Sequence, residues 1–271
     1  MTRGKTAWVT GASSGLGKYT AEALRDAGWR VIAGARSFPE EREEDGILHL
    51  PLDVTDEKSV ERFCDRALER EPRVDAVIQC AAVLVLGSCE ETTPEEFRRV
   101  MDTNFLGMVR VNRQVIPIMR AQRGGRIVLF SSINGLMGIP FENAYTASKH
   151  AIEGYAEGLQ MEVRPFGIEV TLVEPGDHRG GSQRTRGKTG GMRPGSPYSA
   201  AFDRGTGRIH RDESHGSDPA KLGRKISKML ERRRMPFRKR IARPDQHLAV
   251  YIHRLLPWRV NEGILRKYYT G

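Results

Sequence analysis

The chain has 271 residues, 38% of them hydrophobic, enough to enclose one substantial core. Its three cysteines, Cys64, Cys80 and Cys89, show neither CxxC nor metal-ligand spacing, which excludes a disulfide framework and a structural metal site and fits a reducing compartment. The net charge of +10 is uneven, since residues 1–177 carry 21 Lys and Arg against 27 Asp and Glu while residues 178–271 carry 23 against 7; no nucleic-acid-binding motif accompanies this basic tail, so it reads as a solvated face and no nucleic-acid partner is expected.

The N-terminus runs into its first apolar stretch with no room for a leader peptide, and the most apolar segment, residues 76–86, is interrupted by Gln79 and falls short of the roughly 20 residues that a spanning helix needs. A cytoplasmic protein is expected. Apolar runs predict strands at 6–11, 30–35, 47–52, 74–81, 126–132 and 168–174. Helical periodicity fits the stretches between them at 15–27, 56–69, 94–121 and 145–164, and Thr93, Pro94 and Glu96 form a capping box at the third helix. This alternation predicts an α/β fold: a single Rossmann-type domain over residues 1–271, with a doubly wound parallel sheet and helices on both faces.

Residues 177–217 are rich in Gly and Pro and read as an irregular, mobile segment, either a lid over a binding site or plain disorder. Helical pattern returns at 218–233 and 246–256, so 218–271 reads as a basic extension packing on the core. The apolar stretch from His247 to Leu256 suits packing against the body or a second subunit, with peripheral contact to a lipid surface as the alternative.

The turn Gly11-Ala-Ser13-Ser14-Gly15-Leu16-Gly17 lies between the first strand and the first helix. There glycines permit a sharp turn and close approach of a diphosphate, and the helix N-terminus offers free N–H groups. At the end of the second strand, where an acid would bind the ribose hydroxyls of NAD, the chain has Arg36, which suits the 2′-phosphate of NADP(H). The competing role for Arg36 is an ion pair with the acidic run at residues 40–45. Tyr145 and Lys149 share one face of a predicted helix, an arrangement in which the ammonium favours phenolate and lowers the phenol pKa from about 10. Ser132 ends the preceding strand, on the edge where ligands bind in open α/β sheets.

Together with Asp53-Val54, Asn104 and Pro175-Gly176, these motifs resemble the short-chain dehydrogenase/reductase family over essentially the whole chain, and the runs after Ser132 look like its 17β-hydroxysteroid and retinol dehydrogenase branch. The resemblance implies an oxidoreductase moving hydride between nicotinamide and a carbonyl or alcohol carbon. Tyr145 would transfer the proton, Lys149 would bind the nicotinamide ribose, Ser132 would orient the carbonyl and Asn104 would position a water. Asp53 and Val54 would hold the adenine. The family's Asn-Ala-Gly after the fourth strand is here Cys80-Ala81-Ala82, and its Thr after Pro-Gly is missing, with Ser182 the candidate substitute. The resemblance also implies a homodimer or homotetramer. Leu84, Met137, Ile139, Phe141 and Asn143 are candidate pocket residues for a lipophilic alcohol or ketone, with polyketide-like or sugar-derived substrates left open. The alternative from another class is a nucleotide-sensing or interaction protein with weakened catalysis. No metal ligands are expected.

Overall fold

The first strand, β1 (Thr6–Thr10), is buried along its whole length, as a strand covered on both faces must be. Its side chains alternate between two cores: Trp8 packs on one face with Ile32, Leu50 and Phe63, whereas Ala7 and Val9 pack on the other with Leu24, Val31 and Leu222. The computed structural model describes residues 4–180 and 186–271. From β1 the chain passes through α1 (Gly15–Asp26), β2 (Arg30–Ala35), β3 (Arg42–Glu44), β4 (Ile47–Pro51), α2 (Glu57–Arg70), β5 (Ala76–Gln79) and β6 (Val85–Leu86). It continues through α3 (Pro94–Met101), α4 (Gly107–Ala121), β7 (Gly125–Phe130), α5 (Asn143–Val163) and β8 (Ile168–Pro175).

Eight strands form one sheet in the order β10-β8-β7-β5-β1-β2-β4-β3, where β10 spans Arg238–Ile241. All its pairs are parallel except β3 with β4. The chain leaves β1 toward β2 on one side and later returns to β5 on the other, so the carboxyl ends of β1 and β5 open a crevice at a topological switch point. The result is the expected single-domain α/β Rossmann fold.

The predicted helix over 94–121 is interrupted. Residues Asp102–Leu106 form a π-helical turn between α3 and α4, and the widened turn carries Asn104 into the interior, where it is 1% exposed. Gly107, which follows, is required by packing: a Cβ there would lie 2.7 Å from Cγ2 of Val54.

The described residues of the segment 177–217 are more ordered than its composition predicts. It contains β9 (Gly187–Lys188), which pairs in parallel with β6, and α6 (Ser199–Ser214), which buries Phe202, Thr206 and Ile209. Thr189 Oγ1 and Gly190 N donate to the capping carboxylate of Glu96 at 2.6 and 2.9 Å, tying the segment to α3. Gly205, which reads as a loop residue, lies inside α6 at a point where a Cβ would come within 2.8 Å of the Phe141 ring. The following region is more than a covering layer: α7 (Pro219–Leu230) packs on α1, and β10 joins the sheet beside β8. Two final helices, α8 (Pro244–Leu255) and α9 (Trp258–Tyr269), complete the chain. Among the described residues, no helix is long and apolar enough to cross a membrane.

Candidate active site

A cavity of about 480 Å³ opens at the carboxyl ends of the central strands, lined at one end by the glycine turn and Arg36 and at the other by Ser132, Tyr145 and Lys149. At the first end Gly11 adopts φ +67°, and a Cβ on it would lie 2.7 Å from the Ala81 backbone; a Cβ on Gly17 would collide with the Gly11 carbonyl. Gly15 also has positive φ. Ser14 caps α1 without a side-chain hydrogen bond, and no acid occupies the first turn. The leading N–H groups of α1 are thus left for an anion. Ser13 and Leu16 complete the lining of this end.

Arg36 is exposed at the rim and takes part in none of the ion pairs among the described residues. Three acids of the run that competes for it are occupied elsewhere. Glu41 pairs with Arg66 and Arg70, Glu43 with Arg30 and Arg70, and Glu44 with Arg42. Asp53 Oδ1 accepts from Thr55 N at 2.9 Å and Thr55 Oγ1 at 2.7 Å, and its neighbours Leu52 and Val54 line the cavity. Cys80, Ala81 and Ala82 all line the wall, and burial pushes the Cys80 thiol up, so it stays protonated and inert. Pro175 and Gly176 line it as well; a Cβ on Gly176 would collide with Gln246 Oε1. Ser182 lies outside the described residues.

Tyr145 stands in the first turn of α5 and Lys149 one turn later, with Lys149 Nζ 5.3 Å from the Tyr145 ring centroid. Ser132 follows β7, its Oγ accepting from Asn134 N at 3.2 Å. Lys149 is 3% exposed and donates to the Phe130 carbonyl at 2.7 Å, and burial pushes its pKa down to about 8. The expected lowering of the phenol is not what the protein alone produces. Burial, then the Glu142 carboxylate, push the Tyr145 pKa up, while a hydrogen bond with Ser132 pulls it down. A neutral hydroxyl that holds its proton is the form that donates to a carbonyl oxygen.

Asn104 is spent differently from the expectation. Its Nδ2 donates to the Val83 carbonyl at 2.9 Å and Ser148 Oγ at 3.0 Å, and its Oδ1 accepts from Val83 N at 2.7 Å. The side chain thus ties the segment leading into β6 to α5. Of the candidate pocket residues, Leu84 and Ile139 line the cavity, whereas Met137 packs with Ile209 and Val250, Phe141 stacks edge-on against Phe202 at 5.4 Å, and Asn143 only begins α5.

The sequence reading missed one wall altogether. Glu142, Asp177, Asp212, Glu213 and Tyr269 line the catalytic end, brought from the start of α5, the loop after β8, α6 and α9. Phe141, at φ +67°, turns the chain immediately before Glu142, a conformation costly for a bulky residue and held by its packing on Phe202. Burial pushes Glu142 up to about 7 and Asp177 up to about 6. The signal available for Glu142 was one carboxylate in the otherwise apolar approach to Tyr145.

A glycine turn, a helix N-terminus and a buried Ser-Tyr-Lys group facing one cavity can bind a dinucleotide and move a proton at an adjacent carbon–oxygen bond. A family model described as short chain dehydrogenase matches residues 5–189. The chain is 37% identical over 262 residues to a 3-ketodihydrosphingosine reductase of Bacteroides thetaiotaomicron, covering 97% of each chain. It is 32% identical to the uncharacterized oxidoreductase YusZ of Bacillus subtilis, covering 97% of this chain and 98% of that one. Among solved structures, a short-chain dehydrogenase from Streptomyces avermitilis superposes with a TM-score of 0.81 at 30% identity, covering 98% of this chain and 97% of the other. Fold, site and relatives agree: this chain is an oxidoreductase of the short-chain dehydrogenase/reductase family.

Proposed function

We propose that the protein is an NADP(H)-dependent reductase of ketones, which also runs the reverse oxidation of the corresponding secondary alcohol. The observation that carries the reading is the convergence of Ser132, Tyr145 and Lys149 on the cavity that also holds the glycine turn and an Arg36 with no carboxylate partner among the described residues. The cradle fits a dinucleotide, since Gly11 and Gly17 let the turn pack tightly on the Ala81 backbone and on itself, leaving the leading N–H groups of α1 open to the cavity. Gly11, Ser13, Ser14, Gly15, Leu16 and Gly17 would hold the diphosphate and Arg36 the 2′-phosphate. Val54 and the Cys80-Ala81-Ala82 wall would hold the adenosine, with Pro175, Gly176 and Lys149 at the nicotinamide end. When bound, the cofactor supplies hydride to the carbonyl carbon or takes it from the alcohol.

The chain's own residues do the rest. Ser132 and Tyr145 meet the carbonyl oxygen through their hydroxyls. Tyr145 gives its proton as negative charge develops on that oxygen, and the ammonium of Lys149 stabilises the resulting phenolate until a proton is restored. Leu84, Ile139 and Ile209 give the cavity an apolar side suited to a carbon chain. The Bacteroides relative, named as a reductase of a keto compound, supports the direction. Assembly into a homodimer or homotetramer belongs to the same proposal.

The test is NADPH oxidation with a panel of aliphatic ketones, repeated with NADH. Arg36→Ala is expected to lower kcat/KM for NADPH roughly 10- to 100-fold, the worth of hydrogen bonds to a charged group, and to spare NADH. Equal losses with both cofactors, or no oxidation of either by the parent protein, would overturn the reading.

A further inference from the structure

The exposed apolar surface of this protein is concentrated in its last two helices. α8 turns Val250 inward, fully buried with Ile133, Met137 and Ile209, while Leu248, Tyr251 and Leu255, spaced three and four residues apart, form a stripe on its exposed side. α9 adds Val260, Ile264 and Tyr268, four residues apart, and the corner between the helices adds Leu256 and Trp258. Leu255 is 81% exposed and Trp258 62%, whereas the other two tryptophans, Trp8 and Trp29, are buried. The corner is a fixed frame: Asn261 is buried, and its Nδ2 donates to the His253 and Leu256 carbonyls at 2.9 and 2.8 Å. A single apolar side chain on a surface is ordinary, but a continuous stripe across two helices marks a surface that something covers.

The charges set among these side chains are mostly of one sign. Arg254, Arg259, Arg266 and Lys267 are exposed and belong to no ion pair among the described residues. Of the two acids on these helices, Asp245 is held by Arg243, which leaves Glu262 alone to offset four cations. A second copy docked through the same face would set those cations against their own counterparts, because a two-fold axis brings identical surfaces together. An anionic lipid surface complements both features at once. Its headgroups meet the arginines and the lysine, and the boundary of its acyl chains takes the apolar stripe and suits Trp and Tyr. Each helix is 12 residues long and neither can cross a membrane, so the contact is one of lying along the surface.

We infer that α8 and α9 form a docking face for an anionic lipid surface, with Leu255 and Trp258 as its apolar anchors and Arg254, Arg259, Arg266 and Lys267 as its headgroup contacts. The stretch from His247 to Leu256, expected to pack on the body or a second subunit, spends Val250 on the body and leaves its stripe outside. The face also adjoins the catalytic cavity. Tyr268 stacks edge-on with Tyr269 at 4.9 Å, and its hydroxyl donates to Asp212 at 2.8 Å; Tyr269 and Asp212 both line the cavity. The docked protein thus holds its cavity beside the lipid layer.

Flotation of the full chain with vesicles tests this, using equimolar phosphatidylcholine and phosphatidylglycerol beside phosphatidylcholine alone. The parent should partition onto the mixed vesicles about 10-fold more strongly or better, and added salt should weaken that binding. Leu255→Ser with Trp258→Ser, and separately Arg254→Glu with Arg259→Glu, should each cut the partition by about 10-fold or more. All four side chains are exposed, so the thermal midpoints of both variants should stay at the parent's value, which separates lost docking from a lost fold. Trp258 gives a second readout in the parent: its emission should shift to the blue on mixing with the anionic vesicles, since Trp8 and Trp29 start out of water. No binding to the mixed vesicles, equal binding to both compositions, or binding that survives in both variants would overturn the inference. So would a parent that ignores vesicles but sediments as a dimer that Leu255→Ser with Trp258→Ser dissociates, which gives the face to a second copy. None of these readouts needs turnover, so the docking face and the reductase reading stand or fall separately.

Discussion

Two buried acids, one within helix α5 and one just before it, have different surroundings. Toward its middle, Glu153 is met by Arg238, which also reaches Glu157 and Glu174, so a strand that arrives late in the chain closes a charge cluster behind the sheet. At its start, Glu142 faces the cavity with only an amide beside it. The first acid is neutralised by a guanidinium and serves the fold. The second has no ion pair among the described residues, and burial without one shifts its protonation instead.

The sharpest way to break the comparison is to make the first cluster resemble the second. Arg238→Ala strips the cation from Glu153 and leaves Glu174 with Arg240 alone; loss of a partner from a buried pair costs about 3–5 kcal/mol, and Arg238 is partly exposed, which favours the lower figure. Urea titration should show that loss. A change under about 1 kcal/mol would mean that the pairing holds little of the fold together.

Glu142→Gln should behave in the opposite sense, and its effect should depend on pH. The folded-state pKa of Glu142 is raised from 4.5 to about 7, so the folded protein retains a proton that the unfolded chain gives up. Its contribution is greatest below pH 4.5 and is lost as pH rises through 7. The Gln variant avoids that loss, so it should match the parent near pH 4.5 and exceed it by up to about 3 kcal/mol near pH 8. Asp177→Asn should follow the same sign with a smaller gain, since Asp177 is less deeply buried and its pKa rises from 3.8 to about 6. Unfolding titrations at the two pH values check both, and a difference that does not grow with pH would contradict the account.

What the sequence disclosed follows from how local each signal is. The glycine turn, the central strands and the Tyr145–Lys149 spacing are written in short patterns whose physics is confined to a few neighbouring residues, and all stand where the pattern puts them. β10 was hidden because its run Arg238-Lys239-Arg240 looks like solvent-facing charge; only Glu153 and Glu174, far away in sequence, make it a strand that belongs in the sheet. α6 was hidden by Gly205 and Gly207, the first of which is there to admit the Phe141 ring. The chemistry of Tyr145 was misjudged for a related reason. Spacing reveals that Lys149 is near, but the sign of the shift is decided by burial and by Glu142.

The central claim is that the Tyr145 hydroxyl delivers the proton to the substrate oxygen. The most direct test is the rate of NADPH-dependent ketone reduction by Tyr145→Phe against the parent, with NADPH binding measured alongside by fluorescence. The account predicts a fall of about 10²- to 10⁴-fold in kcat with binding retained; a variant that turns over at a rate near the parent's would contradict it.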